Sequence, residues 1–502
     1  MSPPRSSTFV LVKTPLHPLE AALVSVTALH LCFLPWALGT MHLWSQLTSL
    51  VLAAVGFGLA VLPRTAVLHD PSASPGPAEW RAGRLWRWPV FWAGLALLGY
   101  IALQGFNPAW HFARDAQRWW LEPMANISWL PAGVDVPFAL TGPWRSLIVF
   151  GSLWLLVCSI RAGFHRRQSY RLLFTLLVTN AVGLALLGSL EELTGAKEIF
   201  WSYPPSNGGF CASFIYPNHA GAYLNLMVAL AAGLAWRHHL RAHARFERAG
   251  PAAGFLVAAV LISLMVIFSC SRMSIGLLLT FIALTGAGLL WRLTRRRGPV
   301  SGRPEFWPLI LALVLLLGLG GVILGTGKVR VRFLEVLHDP DSAVRGRRLA
   351  RHAAADMLRD YWLLGWGAGC FRYGFNHYVQ AYPEIARTPD GTRAYWEHAH
   401  NDLLEFPVEF GALGLLPLTA MLGYGTRQLI RRRFWRNAVA LGLVVGCSLG
   451  LAHAWVDFVF QCPAVLLTWA VLFMAAGRWV ALDPPTGILA APAPRRGVAL
   501  PR

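Results

Sequence analysis

Two histidines and three carboxylates are concentrated in one short segment, residues 396–405, whose sequence is WEHAHNDLLE. An apolar stretch long enough to cross a bilayer follows it directly. Because ionisable groups are costly at the edge of a membrane, such a cluster indicates a functional site. His400 is the candidate general base, since an imidazole can take the proton of a hydroxyl group near neutral pH. Asp402, Glu405 or Glu409 could orient its ring.

Other polar residues lie at the ends of apolar stretches elsewhere in the chain. Asn218 and His219 follow a proline at the start of one stretch, and Arg272 is the only basic residue in the short turn between two others. His453 and Asp457 are four residues apart near the end of a further stretch, so they would share one face of a helix. If the helices form one bundle, we expect these groups to line a single cavity together with the histidine segment.

The composition sets the class of protein that must position these groups. The chain has 502 residues, of which 55% are hydrophobic and only 14% charged, and its mean hydropathy is +0.48. A soluble protein of this length needs more polar surface, so we predict an all-α, polytopic membrane protein. A membrane span takes about 20 apolar residues. Twelve stretches qualify: 19–38, 43–62, 88–105, 145–160, 172–190, 219–236, 252–269, 275–291, 306–325, 403–424, 437–456 and 463–481.

The positions of lysine and arginine predict the orientation of these spans. Basic residues are concentrated in alternate short loops, as they are in loops that stay in the cytoplasm. Both termini are therefore predicted to be cytoplasmic. The predicted organisation is nine spans in 1–325, a long outer loop over 326–401, three spans in 402–481 and a disordered tail over 482–502. The net charge of +20 follows from this topology, and nucleic-acid binding is not expected.

The long outer loop contains two predicted elements. Residues 342–362 place apolar side chains at helical spacing with arginines between them, which predicts an amphipathic helix near the lipid headgroups. The run GWGAG at 365–369 predicts the end of this helix and a tight turn, because glycine adopts positive φ without strain. We therefore expect this loop to cover the cavity.

Taken in order, the motifs of the second half of the chain resemble those of the O-antigen ligase and polymerase superfamily. His400-Asn401, followed after nine residues by the GALG of 411–414, is similar to the loop signature of that family. As in the family, it is preceded by Gly346-Arg347, a helix and a Gly-x-Gly-x-Phe turn at 367–371.

Three further motifs extend this resemblance. The YPNH of 216–219 is similar to the family's Pro-Asn-His segment, and Ser271-Arg272 is similar to its Ser-Arg turn. His453 and Asp457 correspond to its late His-Asp pair. The likeness therefore covers about residues 200–480.

The resemblance implies an O-antigen ligase-like glycosyltransferase in the bacterial inner membrane, with its active site facing the periplasm. Such an enzyme takes a glycan from undecaprenyl diphosphate and joins it to an acceptor hydroxyl, on lipid A core or another glycan, without nucleotide sugar, cofactor or metal. Cations must then hold the two phosphates, and the planar fork of arginine suits phosphate oxygens. Arg272 and Arg347 are the first candidates, followed by Arg345 and Arg348. Asn401 and the other polar residues named above would support the site.

Simpler roles remain open for several of these residues. His400-Asn401 could cap the helix that follows, since asparagine is favoured at that position, and Arg272 could lie at the lipid interface. His453 and Asp457 could form a structural pair. The sequence also leaves undecided whether Cys211 and Cys370 form a disulfide.

Other functional classes share some of these features. A secondary transporter has similar hydropathy, but its sites normally lie near the midplane between repeated halves, and no matching halves are evident here. A structural subunit of an export complex would not need the histidine or the arginines. Within the superfamily, the sequence leaves ligase, polymerase and protein O-oligosaccharyltransferase open.

Overall fold

The structure of the protein is a computed structural model that describes residues 15–64, 83–115, 118–205, 209–245, 250–295, 318, 340–387 and 391–483 apart from 393. Fifteen α-helices lie in this part of the chain: α1 (Pro18–Trp36), α2 (Leu43–Val61), α3 (Gly83–Trp86), α4 (Pro89–Phe106), α5 (Pro143–Gly163), α6 (Arg167–Leu193), α7 (Pro217–Arg245), α8 (Gly250–Phe268), α9 (Arg272–Arg295), α10 (Pro340–Asp360), α11 (Phe371–Tyr378), α12 (Pro383–Ala386), α13 (Asp402–Arg431), α14 (Ala438–Ala454) and α15 (Pro463–Leu482).

The predicted fold class, a polytopic bundle of membrane helices, is confirmed. Within the described residues, nine helices are long and apolar enough to span a membrane, and α9 and α14 contribute shorter apolar segments. These eleven helices coincide with eleven predicted spans. The remaining span, 306–325, lies outside the described residues except for residue 318. Proline is the first residue of α1, α4, α5, α7 and α15, where its fixed φ favours helix initiation and its missing N–H costs nothing.

Close packing between α7 and α14 brings distant segments of the sequence together. Gly442 of α14 lies so near α7 that a Cβ there would be 2.6 Å from the carbonyl oxygen of Ala229. Gly233 faces the first residue of α14 in the same way, so the two helices are antiparallel. Small residues permit this backbone approach between membrane helices. As a result, the start of α7 lies beside the turn that follows α14.

A buried carboxylate ties the opposite ends of several helices together. Asp483, directly after α15, accepts hydrogen bonds from Arg237 Nε at 2.9 Å, Arg241 Nη2 at 2.8 Å and Arg167 Nη1 at 2.5 Å. Burial alone would raise the pKa of Asp483, but these arginines outweigh it and lower the pKa. The predicted disordered tail is therefore wrong at its first two residues, since α15 includes residue 482 and Asp483 is buried. Residues 484–502 lie outside the described part.

A small sheet, which the sequence did not predict, lies between α4 and α5. Its strands are β1 (Pro108–Arg114), β2 (Trp119–Pro123) and β3 (Gly133–Asp135), in the order β2-β1-β3. β1 pairs antiparallel with β2 and parallel with β3. Trp110 of β1 stacks on Trp366 with 6.2 Å between ring centroids. The sheet therefore packs against residue 366, in the segment between residues 360 and 371.

The amphipathic helix predicted over 342–362 is present as α10. Ala350, Ala353, Ala354 and Met357 form its buried face, in a core that also includes residues of α11. We call β1–β3 and α10–α12 together the cover layer. It lies at the end of the bundle where α13 begins.

Helix α13 is broken at Gly411, whose φ is +60° and ψ −179°. Before the break, the Trp366 and Gly367 amides donate to the carbonyl oxygens of residues 408 and 409 at 2.8 and 2.9 Å. After it, the amides of residues 412 and 413 donate to the carbonyl oxygens of residues 362 and 363 at 2.7 and 3.1 Å. Gly365, Gly367 and Gly369 have φ of +72°, +108° and +72°, so the predicted positive-φ turn is confirmed.

Candidate active site

His400 and Asp457 form a hydrogen-bonded pair at the start of α13. His400 Nδ1 lies 3.2 Å from Asp457 Oδ1, and the imidazole side chain is 22% exposed. The His400 backbone has a φ of +51°, which is unusual for a residue with a side chain. When Nδ1–H donates to a carboxylate, Nε2 carries the lone pair. The pair therefore presents an accessible base.

Asp457 is buried and accepts hydrogen bonds from four donor groups. The Phe458 amide donates to Oδ1 at 2.9 Å, beside the bond from His400. Asn218 Nδ2 and the Tyr216 hydroxyl donate to Oδ2, the hydroxyl at 3.5 Å. Burial would raise the pKa of Asp457, but the hydrogen bond from His400 and the positive charge of Arg347 help to outweigh it and lower the pKa. Asp457 is therefore an anion at neutral pH.

The ring of Phe458, which the sequence did not single out, organises the neighbouring side chains. Tyr216 stacks on it at 5.0 Å and His398 at 4.3 Å between centroids, and the ring of His400 meets it edge-on at 4.9 Å. His219 Nε2 lies 3.1 Å from the Phe458 carbonyl oxygen. Segments separated by more than 200 residues therefore meet here.

The three carboxylates predicted to orient His400 have other partners, so the supporting carboxylate is Asp457. Glu405 accepts hydrogen bonds from His398 Nδ1 at 2.7 Å and the Ala399 amide at 2.8 Å. Asp402 Oδ2 accepts from the amide of residue 460 at 2.7 Å, and Glu409 Oε1 from the amide of residue 371 at 3.3 Å. Asp402, Glu405 and Glu409 thus hold backbone and His398 in place.

Asn401 occupies the N-cap position of α13 but does not cap it. Its side chain makes no capping hydrogen bond, and Oδ1 is buried without a partner among the described residues. Its backbone carbonyl oxygen accepts from the amides of residues 404 and 405. The helix-cap role considered for His400-Asn401 therefore predicted where Asn401 lies. It did not predict that the Asn401 side chain makes no capping hydrogen bond.

His453 and Asp457 do not share a helix, because α14 ends at residue 454. Asp457 lies in the turn that follows, and its amide donates to the His453 carbonyl oxygen at 3.0 Å. Both ring nitrogens of His453 are buried without a partner in the described part of the chain. All seven cysteines lie in described residues and are free thiols, so Cys211 and Cys370 are not paired.

Arg347 is the candidate cation that faces this cluster. It is half-buried on α10, and its positive charge contributes to lowering the pKa of Asp457. Burial and the charge of Asp457 raise the pKa of the Tyr216 hydroxyl, and Arg347 opposes that rise. Arg345 and Arg348 are exposed on the same helix.

Arg272 lies at the same end of the bundle as His219. It is the exposed first residue of α9. Asn225 Nδ2 of α7 donates to the Ser274 carbonyl oxygen at 2.9 Å, and a Cβ on Gly221 would meet the Ser274 side chain. These contacts hold the first turn of α9 against the start of α7.

Two arginines near the site were missed in the sequence. Arg372 Nη2 lies 3.4 Å from His398 Nε2, and its Nη1 lies 3.8 Å from Glu397. Burial, followed by the charge of Arg372, lowers the pKa of His398, which is therefore neutral.

Arg145 is buried in the first turn of α5, where its Nε donates to Gln46 Oε1 at 3.0 Å. Arg372 and Arg145 both line a cavity of 530 Å³ beside β2, together with Trp119 and Tyr395. Arg372 directly follows the Gly-x-Gly-x-Phe turn, and this position could have indicated from the sequence that it lies near the site.

Comparison with known families supports the resemblance drawn from the motifs. The profile of a family described as O-antigen ligase matches residues 257–419, about a third of the chain, which includes Arg272, Arg347 and His400. Asn218, His219 and the segment around Asp457 lie outside the match. No curated protein matches the chain. The match over residues 257–419 and the order of the motifs support the O-antigen ligase superfamily, and the apolar helices are those of a multi-pass membrane protein.

Proposed function

We propose that this protein transfers a glycan from a polyprenyl-diphosphate carrier, undecaprenyl diphosphate, to an acceptor hydroxyl at the periplasmic face of the bacterial inner membrane. The observation that carries this proposal is the His400–Asp457 pair, with Nδ1 and Oδ1 3.2 Å apart, beside Arg347. A base next to an arginine meets the two needs of a transfer from a diphosphate, which are a deprotonated acceptor and a stabilised leaving group.

In the proposed reaction, His400 Nε2 removes the proton of the acceptor hydroxyl while its oxygen attacks the anomeric carbon of the donor glycan. The bond between that carbon and the diphosphate oxygen breaks, and the polyprenyl diphosphate leaves with the electron pair. Asp457 holds the imidazole in the productive tautomer and stabilises the imidazolium that forms. A base in this position typically contributes about 10² to 10⁴ in rate.

Two of the four candidate arginines are proposed as ligands of the diphosphate. Arg347, which already acts electrostatically on Asp457, and Arg272 are proposed to hold the diphosphate. Arg345 and Arg348, which are exposed on the same helix as Arg347, are the weaker candidates. The cavity at Arg372 would take the acceptor glycan, since aromatic rings and arginines both line it.

Transfer by the purified protein tests this function. The donor is a polyprenyl-diphosphate oligosaccharide, offered with lipid A core or with a second lipid-linked repeat as acceptor. We expect product with wild type and with His377→Ala, an exposed histidine of the cover layer, and little product with His400→Ala. Transfer to lipid A core would establish a ligase, and longer chains on the carrier would establish a polymerase. If a folded His400→Ala protein turned over as fast as wild type, the cluster would have a structural role and His400 would not be the base.

The proposed topology places both termini in the cytoplasm and the 326–401 loop in the periplasm. An alkaline-phosphatase fusion at Pro383, in the cover layer, should then be active. A fusion at Arg432, directly after α13, should be inactive. The reverse pattern would place His400 on the cytoplasmic side and contradict the proposed donor.

A further inference from the structure

Three arginines converge at the end of the bundle opposite to His400. Arg161 lies in the last turn of α5, Arg432 directly follows α13, and Arg478 is near the end of α15. They line one pocket of 80 Å³ together with Tyr170. Because α15 begins just after the His400 site and rises about 1.5 Å per residue, Arg478 lies about 22 Å from that end. This pocket is therefore distinct from the candidate active site.

The positive charge of this pocket is not balanced by the carboxylates nearby. Glu20 forms an ion pair with Arg64 and accepts a hydrogen bond from Ser169. Asp483 forms ion pairs with the arginines described above. No acidic side chain is among the described residues that line the pocket. Burial and the charge of Arg478 lower the pKa of Arg432. The three cations therefore repel one another unless an anion lies between them.

Polar groups in the pocket lack partners among the described residues. Arg478 Nε is buried with no hydrogen-bond partner. The buried Tyr170 hydroxyl lies beside the Arg478 guanidinium, which can donate to it but cannot accept its proton. The other arginines are held in place: Arg432 Nη1 donates to the Gly477 carbonyl oxygen at 2.7 Å, and the Arg161 guanidinium lies 5.6 Å from the Trp88 ring. Positioned donors with an acceptor missing are suited to a phosphate group.

An apolar groove continues from the pocket along the bundle. It has a volume of 350 Å³ and shares four lining residues with the pocket, Trp88, Val157, Phe473 and Met474. From there it extends between α4, α5, α13 and α15 to Leu403 and the buried Asp402 at the start of α13. The ligand that fits both parts carries an anionic group at one end and hydrocarbon next to it.

We propose that Arg161, Arg432 and Arg478 bind the phosphate of an anionic phospholipid whose acyl chains lie in the adjoining groove. Basic pockets between membrane helices recognise anionic headgroups in this way, and arginine forks match phosphate oxygens. A free phosphate would leave the groove without an occupant. A polyprenyl donor would place uncharged hydrocarbon among the arginines, because its diphosphate belongs at the His400 end.

Binding to the full-length wild-type protein in detergent tests this proposal. Thermal unfolding is followed with added phosphatidylglycerol, with phosphatidylcholine of the same chains, or with sodium phosphate. We expect phosphatidylglycerol to raise the midpoint saturably and the other two to have little effect. An equal shift with sodium phosphate would show a free-anion pocket, and an equal shift with phosphatidylcholine would show apolar binding alone. Either result overturns the proposal.

Variants assign the effect to the pocket. Arg432→Gln, at an exposed helix end, should weaken the apparent affinity for phosphatidylglycerol about tenfold, because a charge-assisted bond to phosphate is lost. Its exposed neighbour provides the matched control, Arg431→Gln, which removes the same charge and should bind as wild type. Unchanged binding by Arg432→Gln and by Arg478→Gln contradicts the proposal. His400→Ala should bind the lipid normally, so this result is independent of the proposed transferase function.

Discussion

Replacing Asp457 with asparagine is the sharpest perturbation of the proposed base. The carboxylate accepts hydrogen bonds from His400 Nδ1, the Phe458 amide, Asn218 Nδ2 and the Tyr216 hydroxyl. An amide has the same shape but exchanges one acceptor oxygen for an NH₂ donor. If that donor faces His400, Nδ1 must become an acceptor and its proton moves to Nε2. The nitrogen that should take the acceptor proton is then occupied.

The opposite orientation of the amide is also unfavourable, because its NH₂ then meets the NH₂ of Asn218. In either orientation the negative charge that stabilises the imidazolium is lost. We therefore expect Asp457→Asn to reduce turnover by about 10² to 10⁴. At 1.36 kcal/mol per factor of ten, this is about 2.7 to 5.4 kcal/mol of transition-state stabilisation.

The assay is turnover at saturating donor, with donor binding measured separately. Asp457→Asn should leave donor binding nearly intact, since the pair acts on the transition state. Combined with His400→Ala, it should add little, because residues that act as a unit are not additive. Wild-type turnover by folded Asp457→Asn would refute the reasoning, as would full additivity of the two losses.

The arginines, the break in α13 and the buried Asp457 can each be perturbed separately. Arg347→Ala should weaken donor binding and turnover, with partial rescue by lysine, whereas the exposed Arg345→Ala should change both much less; equal effects would contradict the assignment. Gly411→Ala should destabilise the protein by about 2 kcal/mol or more in thermal unfolding, because φ is +60° and a Cβ would lie 2.4 Å from a backbone oxygen. Gly423→Ala in the same helix, where a Cβ meets nothing within 4 Å, should be neutral or stabilising, and a similar loss would be inconsistent with the break. EDTA should not abolish transfer if arginines supply the positive charge; loss of activity restored by magnesium would refute this. The pKa of Asp457 is lower in the folded protein than in the unfolded chain, where it is about 3.9. The charged carboxylate therefore stabilises the fold above about pH 3.9, and this stabilisation is lost as the pH falls through the folded pKa. The difference in unfolding free energy between wild type and Asp457→Asn should shrink below about pH 4.

The membrane helices were largely predictable because hydrocarbon thickness sets their length. The predicted span 172–190 is observed within α6, and the prolines that start the helices are visible in the sequence. The positive φ of Gly365 and its neighbours followed from the residue type. What hydropathy alone did not predict is that α13 breaks at Gly411, since glycine is tolerated in membrane helices and its partner is the distant turn at 362–367.

The site was predictable in its members but not in its contacts. Asn218, His400 and Asp457 were expected on one side of the membrane, yet their meeting depends on the glycine contact between α7 and α14. Glu405 stood nearer to His400 in the sequence than Asp457, but helical geometry turns it toward His398. The sheet was missed because strands of three to seven residues carry too short a pattern, and its packing depends on stacking such as that of Trp110 on the loop.

The break in α13 constrains how the proposed donor would reach the proposed site. Four backbone hydrogen bonds join the turn at 362–367 to both halves of this helix, so the cover layer is fixed to the membrane bundle. Raising it like a lid would leave these backbone groups unpaired at the membrane, at a cost of several kcal/mol each. A lipid-linked donor is therefore expected to enter sideways from the bilayer, between helices, while the cover layer stays in place. Turnover should then respond to the fluidity of the surrounding lipid more than to the mobility of the loop.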